Sequence, residues 1–190
     1  MNVVKLFFHF VLSNFSNTYI LGPVEGGPAL IIDPGVMDLP LLNLIERNSF
    51  YVKHILVTHN HASHVNGIKT LKRVYDADIY SNMELPFKSE FNKIEDGDEL
   101  HLDSFDVDVI NIPGHSPDSM IFKIQNMLFT GDALLAGEID HDLTVFQNNE
   151  LLEKVKEKIF VMDDDILIFP GHGSPTTVKA EKYFNPYLRG

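Results

Sequence analysis

Four segments of this chain carry a run of strand-forming residues into a turn that presents a metal-ligand type of side chain. The run from His54 to Thr58 leads into Thr58-His-Asn-His-Ala-Ser-His64, and the others read Ile112-Pro-Gly-His115, Phe129-Thr-Gly-Asp132 and Phe169-Pro-Gly-His172. In the last three a glycine directly precedes the His or Asp, which permits the tight turn that aims a side chain into a shared cleft. His59 and His61 leave their strand two residues apart, so their rings project to one side while Asn60 points away. His64 follows where the chain turns toward a helix. Converging neutral imidazoles suit Zn²⁺, or iron or manganese, bound at about 2.0–2.1 Å.

The rest of the chain supplies strands and helices to hold such turns. Strand-like runs occur at Val3 to Phe10, Thr18 to Leu21 and Ala29 to Asp33, the last two separated by glycine and proline, and suggest a meander. Leu41, Leu42 and Ile45 have helical spacing, as do Ile68, Leu71 and Tyr75. A strand at Ile79 to Ser81 precedes a hairpin of Glu99 to Leu102 with Phe105 to Asn111, in which Phe105, Val107 and Val109 alternate. Strands at Met120 to Ile124 and Met127 to Thr130 meet at Gln125-Asn126. A helix over about Asn149 to Val161 buries Leu151, Leu152, Val155 and Ile159, and a strand at Ile166 to Phe169 follows. Hairpins with helices between them suggest two sheets packed together with helices outside, in one domain over residues 1–190.

Composition removes several classes of function. With no Cys there are no disulfides, thiolate zinc sites or cysteine nucleophiles. Fifteen Lys and Arg against 27 Asp and Glu give a net charge of −12, which argues against nucleic acid and anionic membranes as partners. The apolar run from Lys5 to Leu12 is short and broken by His9, so it reads as a first strand and not a leader. A cytoplasmic protein acting on a small molecule, as monomer or homodimer, is expected.

The chain resembles the metallo-β-lactamase superfamily, in particular its glyoxalase II-like branch. The resemblance rests on Thr58-His-Asn-His-Ala-Ser-His64, Pro113-Gly-His-Ser-Pro-Asp-Ser119, Thr130-Gly-Asp132, and Pro170-Gly-His-Gly-Ser-Pro-Thr-Thr177 followed by Asn185-Pro-Tyr-Leu188. Asn17-Thr-Tyr19 and Ile32-Asp-Pro-Gly35 look like early landmarks of the same branch. It implies an α+β fold, a four-layer αββα sandwich of two mixed sheets with the metal site at one edge. Carried over by motif, His59, His61 and His115 hold a first metal, His64 and His172 belong to a second, and Asp132 bridges both. Asp132 and position 63 are then the catalytic candidates, since relatives usually have Asp where this chain has Ser63. A serine hydroxyl is a much poorer ligand for a hard dication, so one tightly held ion (Zn²⁺ or Fe, with Mn as a further option) and a weaker second are expected. A second departure lies in Ala136-Gly-Glu-Ile-Asp-His-Asp-Leu143, where relatives often carry an arginine and His141 stands nearest its place.

A bound ion that lowers the pKa of its water and polarises a carbonyl makes a hydrolase of small thioesters or esters the leading expectation. The alternatives are a mononuclear iron oxygenase resembling the persulfide dioxygenase branch, using His59, His115 and Asp132, and a metal-binding protein with weak catalysis. His9, His54, His101 and His141 are assigned to packing, hydrogen bonding or solvent. Asp163-Asp-Asp165 reads as a solvated loop, and Asp33 as either a turn cap or a support for the metal ligands.

Overall fold

The computed structural model describes residues 3–138 and 144–188, and of Val145 and Phe146 the backbone alone. The chain forms two compact units, residues 1–94 with 101–105, and residues 95–100 with 106–190.

In the first unit β1 (Val4–Val11), β2 (Ser16–Pro23) and β3 (Gly27–Ile32) form the antiparallel meander that the glycine and proline breakers imply. Helix α1 (Leu39–Arg47) then crosses over to β4 (Phe50–Leu56), parallel to β3. Asp38 starts α1 by accepting a hydrogen bond from Leu41 N at 2.9 Å, with Pro40 in the first turn where no backbone donor is missed. After β4 come two single-turn helices, α2 (Ala62–Val65) and α3 (Ile68–Leu71), then β5 (Asp78–Ser81) and β6 (Asn92–Lys93), giving a mixed sheet in the order β1-β2-β3-β4-β5-β6. Only part of the Ile68, Leu71, Tyr75 stripe is helical. Tyr75 lies in the turn beyond α3, its N–H on the Leu71 carbonyl at 2.9 Å. One face of the sheet, with Ile20, Ile31, Val52 and Ile79, packs on Leu41 and Ile45 of α1 and on Ile68 and Leu71 of α3. By strand alternation Leu21, Leu30, Ile32 and Leu56 project from the opposite face, and they are buried as well.

The second sheet has the order β12-β11-β10-β9-β8-β7. Its elements are β7 (Glu99–Leu102), β8 (Phe105–Asn111), β9 (Met120–Ile124), β10 (Met127–Gly131), β11 (Leu167–Pro170) and β12 (Thr176–Thr177), with α4 (Val145–Lys158) between β10 and β11 and α5 (Val178–Phe184) after β12. The β7 and β8 limits are those the alternation predicts. The β10 and β11 strands are parallel, so they end side by side, and their ends carry Asp132 and His172. Helix α4 starts earlier than the apolar spacing suggests, because Thr144 and Gln147 form a reciprocal capping box that fixes its first turn. Leu151, Val155 and Ile159 of α4 and Val178 of α5 pack on Ile121, Leu128 and Ile168. Each such fully buried side chain contributes about 1.5–3 kcal/mol. Asn185 and Leu188 are buried too. No helix among the described residues is long and apolar enough to cross a membrane.

Candidate metal centre

The first unit supplies His59, His61 and His64 from the stretch between β4 and the end of α2. Asp33, 2% exposed and at φ +50°, organises that stretch from the end of β3. Its carboxylate accepts from Thr58 N at 2.8 Å and Thr58 Oγ1 at 2.6 Å, and lies 3.0 Å from His64 Nδ1. A buried carboxylate only accepts, so His64 carries its proton on Nδ1 and leaves Nε2 unprotonated, the form in which a ring nitrogen could bind a metal. The Thr58 hydroxyl, having given its hydrogen to Asp33, accepts from His59 Nδ1 at 3.1 Å and sets the same tautomer there. His59 Nε2 and His61 Nδ1 are 3.1 Å apart, close to the ~3.3 Å separating two tetrahedral ligands that each lie about 2.0–2.1 Å from one ion. Asn60 points away, as predicted, donating to the Glu84 carbonyl at 2.6 Å.

Ser63 lies within α2, and its backbone is gripped from two sides. Ser16 Oγ and Asn14 Nδ2, at the start of β2, donate to its carbonyl at 2.8 and 3.3 Å. Gly35 backs onto the same carbonyl so closely that a Cβ there would lie 1.9 Å from the oxygen. Tyr19, on β2, is buried; burial raises its phenol well above the ordinary value, against the lowering effect of the Asn17 amide, which donates to its oxygen at 3.1 Å.

The second unit supplies His115, Asp132 and His172. The His115 loop is braced by Ile112 N donating to Ser119 O, by Ser116 N donating to Ser119 Oγ and by the Ser116 hydroxyl donating to Asp118. Gly114 has φ +143°, and Leu151 of α4 stands where its Cβ would be, so the loop needs glycine for both reasons. Gly131, at φ +50°, ends β10 in a register shift against β11, and its carbonyl accepts from Gly171 N at 2.7 Å. This bond joins the turn that carries Asp132 to the turn that carries His172. Asp132 Oδ1 lies 2.8 Å from His172 Nδ1, and Oδ2 lies 3.8 Å from His115 Nε2. One carboxylate thus faces two imidazoles through different oxygens. Imidazole nitrogens with a carboxylate fit a borderline divalent ion such as zinc or iron.

The remaining sequence expectations fall out as follows. His9 lies 3.2 Å from Asp38, His54 bonds to Asp103 at 2.7 Å, and His101 is exposed; His141 is outside the described residues. Asp163 and Asp165 are exposed in the loop between α4 and β11. The sequence reading did not assign the roles of Thr58, Ser16 or Asn14. It also passed over Glu181, a buried carboxylate that accepts from Gly137 N, Thr176 Oγ1 and Asn185 Nδ2 and ties α5 to the segment after Asp132. For Asn14 and Ser16 the polar residues Asn14, Ser16, Asn17 and Thr18 at the entry to β2 were the available signal.

The chain matches the sequence profile of the metallo-beta-lactamase superfamily over residues 13–172. It is 32% identical over 186 residues to the hydroxyacylglutathione hydrolase GloC of Haemophilus influenzae, covering 84% of this chain and 87% of that one. It is 33% identical over 181 residues to the human mitochondrial persulfide dioxygenase ETHE1, covering 90% of this chain and 70% of that one. The crystal structure of TTHA1623 in a di-iron-bound form aligns with a TM-score of 0.80 at 26% identity, over 96% of this chain and 100% of that one.

Proposed function

Because the chain belongs to the metallo-β-lactamase superfamily, we propose that it is a metal-dependent hydrolase of small thioesters or esters in that superfamily's glyoxalase II-like branch. Its two mixed six-stranded sheets with helices are the superfamily's α+β fold. In this reading His59, His61, His115 and Asp132 hold one ion, zinc or iron with manganese as a further option, and His64, Asp132 and His172 take a second. Such an ion supplies a water of lowered pKa and a Lewis acid for the substrate carbonyl. The chain's own part is to fix the ligands. Asp33 and Thr58 hold the tautomers of His64 and His59, and Asp132 spans His115 and His172 through its two oxygens. Ser63 offers a neutral hydroxyl where a carboxylate is usual, so the second ion is the weaker one. A thiolate leaving group needs little help from an acid, and that favours thioesters over amides at such a site. The substrate is a small molecule, and the chain acts as a monomer or homodimer.

The 3.1 Å pairing of His59 Nε2 with His61 Nδ1, in the His59 tautomer that Thr58 imposes, carries this reading. It is tested on a panel of acyl thioesters, including hydroxyacylglutathione, with matched amides. Thioester hydrolysis that chelation abolishes and zinc or iron restores is the expected result; an amide turned over faster than its matched thioester contradicts it.

The identity with persulfide dioxygenase ETHE1, together with the weakened second site, favours one other reading, a mononuclear iron oxygenase using His59, His115 and Asp132. O₂ uptake on a persulfide by the iron-loaded protein, without thioester turnover, selects that reading.

A further inference from the structure

Five lysines of this acidic chain, Lys53, Lys123, Lys154, Lys158 and Lys182, sit against carboxylates. Lys69, Lys72, Arg73 and Lys88 do not. None of these four forms an ion pair among the described residues, and together with Phe87 and Ser89 they line a cleft of about 270 Å³ beside α3. Four like charges around one concavity repel one another, in a chain whose net charge of −12 could have paired them elsewhere. An anion seated among them removes that repulsion. The cleft is also preorganised. The Lys69 ammonium stands 4.8 Å over the Phe87 ring and holds the loop before β6 against α3. Lys72 Nζ donates one hydrogen to the Ala77 carbonyl at 2.8 Å, which steadies it and leaves two donors.

A larger cleft of about 530 Å³ adjoins the first and shares Phe87, Lys88 and Ser89 with it. Its further lining is mainly apolar, with Leu85, Pro86 and Phe91, and Glu84 is its acidic member. Cations at one end and aromatic surface at the other match a ligand with phosphates and a flat ring. We propose that the two clefts form a nucleotide site, in which Lys69, Lys72, Arg73 and Lys88 hold the phosphates and Phe87 and Phe91 take the base. The loop that bears it is tied to the histidine segment through the bond from Asn60 to the Glu84 carbonyl. Two sources carry this chemistry: a free nucleotide, or the nucleotide end of a coenzyme A thioester. The second source rests on the hydrolase reading; the first does not.

Calorimetry on the metal-loaded protein tests the site with ADP, coenzyme A and inorganic phosphate, at low and high salt. The Arg73→Glu/Lys88→Glu variant changes two exposed cleft residues, and Lys156→Glu/Lys179→Glu, exposed on α4 and α5, makes the same charge change elsewhere. ADP is expected to bind, more weakly as salt rises, with affinity reduced at least about tenfold in the cleft variant and little changed in the other. Coenzyme A binding tighter than ADP, with a raised KM for an acyl-coenzyme A but not for an uncharged thioester in the cleft variant, assigns the coenzyme source. Coenzyme A binding no tighter than ADP assigns the free nucleotide. Failure of both to bind, equal losses in the two variants, or inorganic phosphate binding as tightly as ADP overturns the proposal. The binding constants stand whether or not any thioester is hydrolysed, and the KM comparison alone rests on the hydrolase reading.

Discussion

Asp33 holds a backbone conformation that residues other than glycine rarely take, φ +50°, while its carboxylate meets Thr58 N, Thr58 Oγ1 and His64 Nδ1. An aspartate before Pro34-Gly35 could equally have been a turn cap, and only the folded neighbours of Thr58 reveal the second role. Asp33→Ala is expected to lower metal affinity about 10- to 100-fold, as loss of a ligand's support generally does, measured by competition with a coloured chelator. Unchanged affinity would mean that His64 does not need the carboxylate. Gly35 is constrained by space instead. Its added Cβ meets the Ser63 carbonyl, so Gly35→Ala is expected to cost about 1–3 kcal/mol in urea unfolding, from a methyl that cannot be housed without moving α2. At position 63 itself, Ser63→Asp is expected to tighten the second ion. A gain in thioester hydrolysis with it would mark the native serine as limiting, whereas a loss would show that the serine suits its own chemistry.

At the scale of elements, the β7–β8 turn is fastened to β4 by Asp103, which bonds to His54 at 2.7 Å and lies 3.4 Å from Lys53. The His54 hydrogen bond, with Lys53 assisting, holds the Asp103 carboxyl below the usual carboxylate range despite some desolvation. A carboxyl with a folded pKa below its unfolded value of about 3.9 adds stability above that value and loses it as pH falls through the folded pKa. Asp103→Asn should therefore lower stability at pH 7 and flatten its decline between about pH 5 and 3, read from urea midpoints across that range; an unchanged acid limb would remove the turn from the account. This hairpin was legible in the sequence because period-two alternation and a two-residue turn are local signals. Its fastening to β4 was not, since His54 and Asp103 are far apart in sequence. The opposite case is α4, whose first turn rests on the local cap of Thr144 and Gln147, a signal that apolar spacing does not carry. Helix α3 stopped short of its stripe because Tyr75 reaches its buried position from a turn, where burial does not require helical backbone.

For the molecule as a whole, the family was legible because six ligand-type residues stand in four short motifs, each at a strand end or the turn beyond it. Among the supporting residues, Asp33 stood open between turn cap and ligand support, and Thr58, Ser16 and Glu181 were not legible, because none belongs to a pattern that local chemistry would flag. The net charge of −12 argued against phosphate-bearing polymers, yet it averages over a cleft that gathers four cations and conceals them. Six donors, with Ser63 where a carboxylate is usual, are expected to bind two ions unequally. Bound metal stabilises only the folded chain, so chelation is expected to lower Tm, and by less in Asp33→Ala, whose weaker metal binding stabilises it less. The most direct test is the number of metal equivalents per chain in freshly purified protein, before and after exhaustive dialysis. The account predicts one equivalent of zinc or iron that persists and a second that is lost; two equivalents that both survive dialysis, or none bound at any stage, would contradict it.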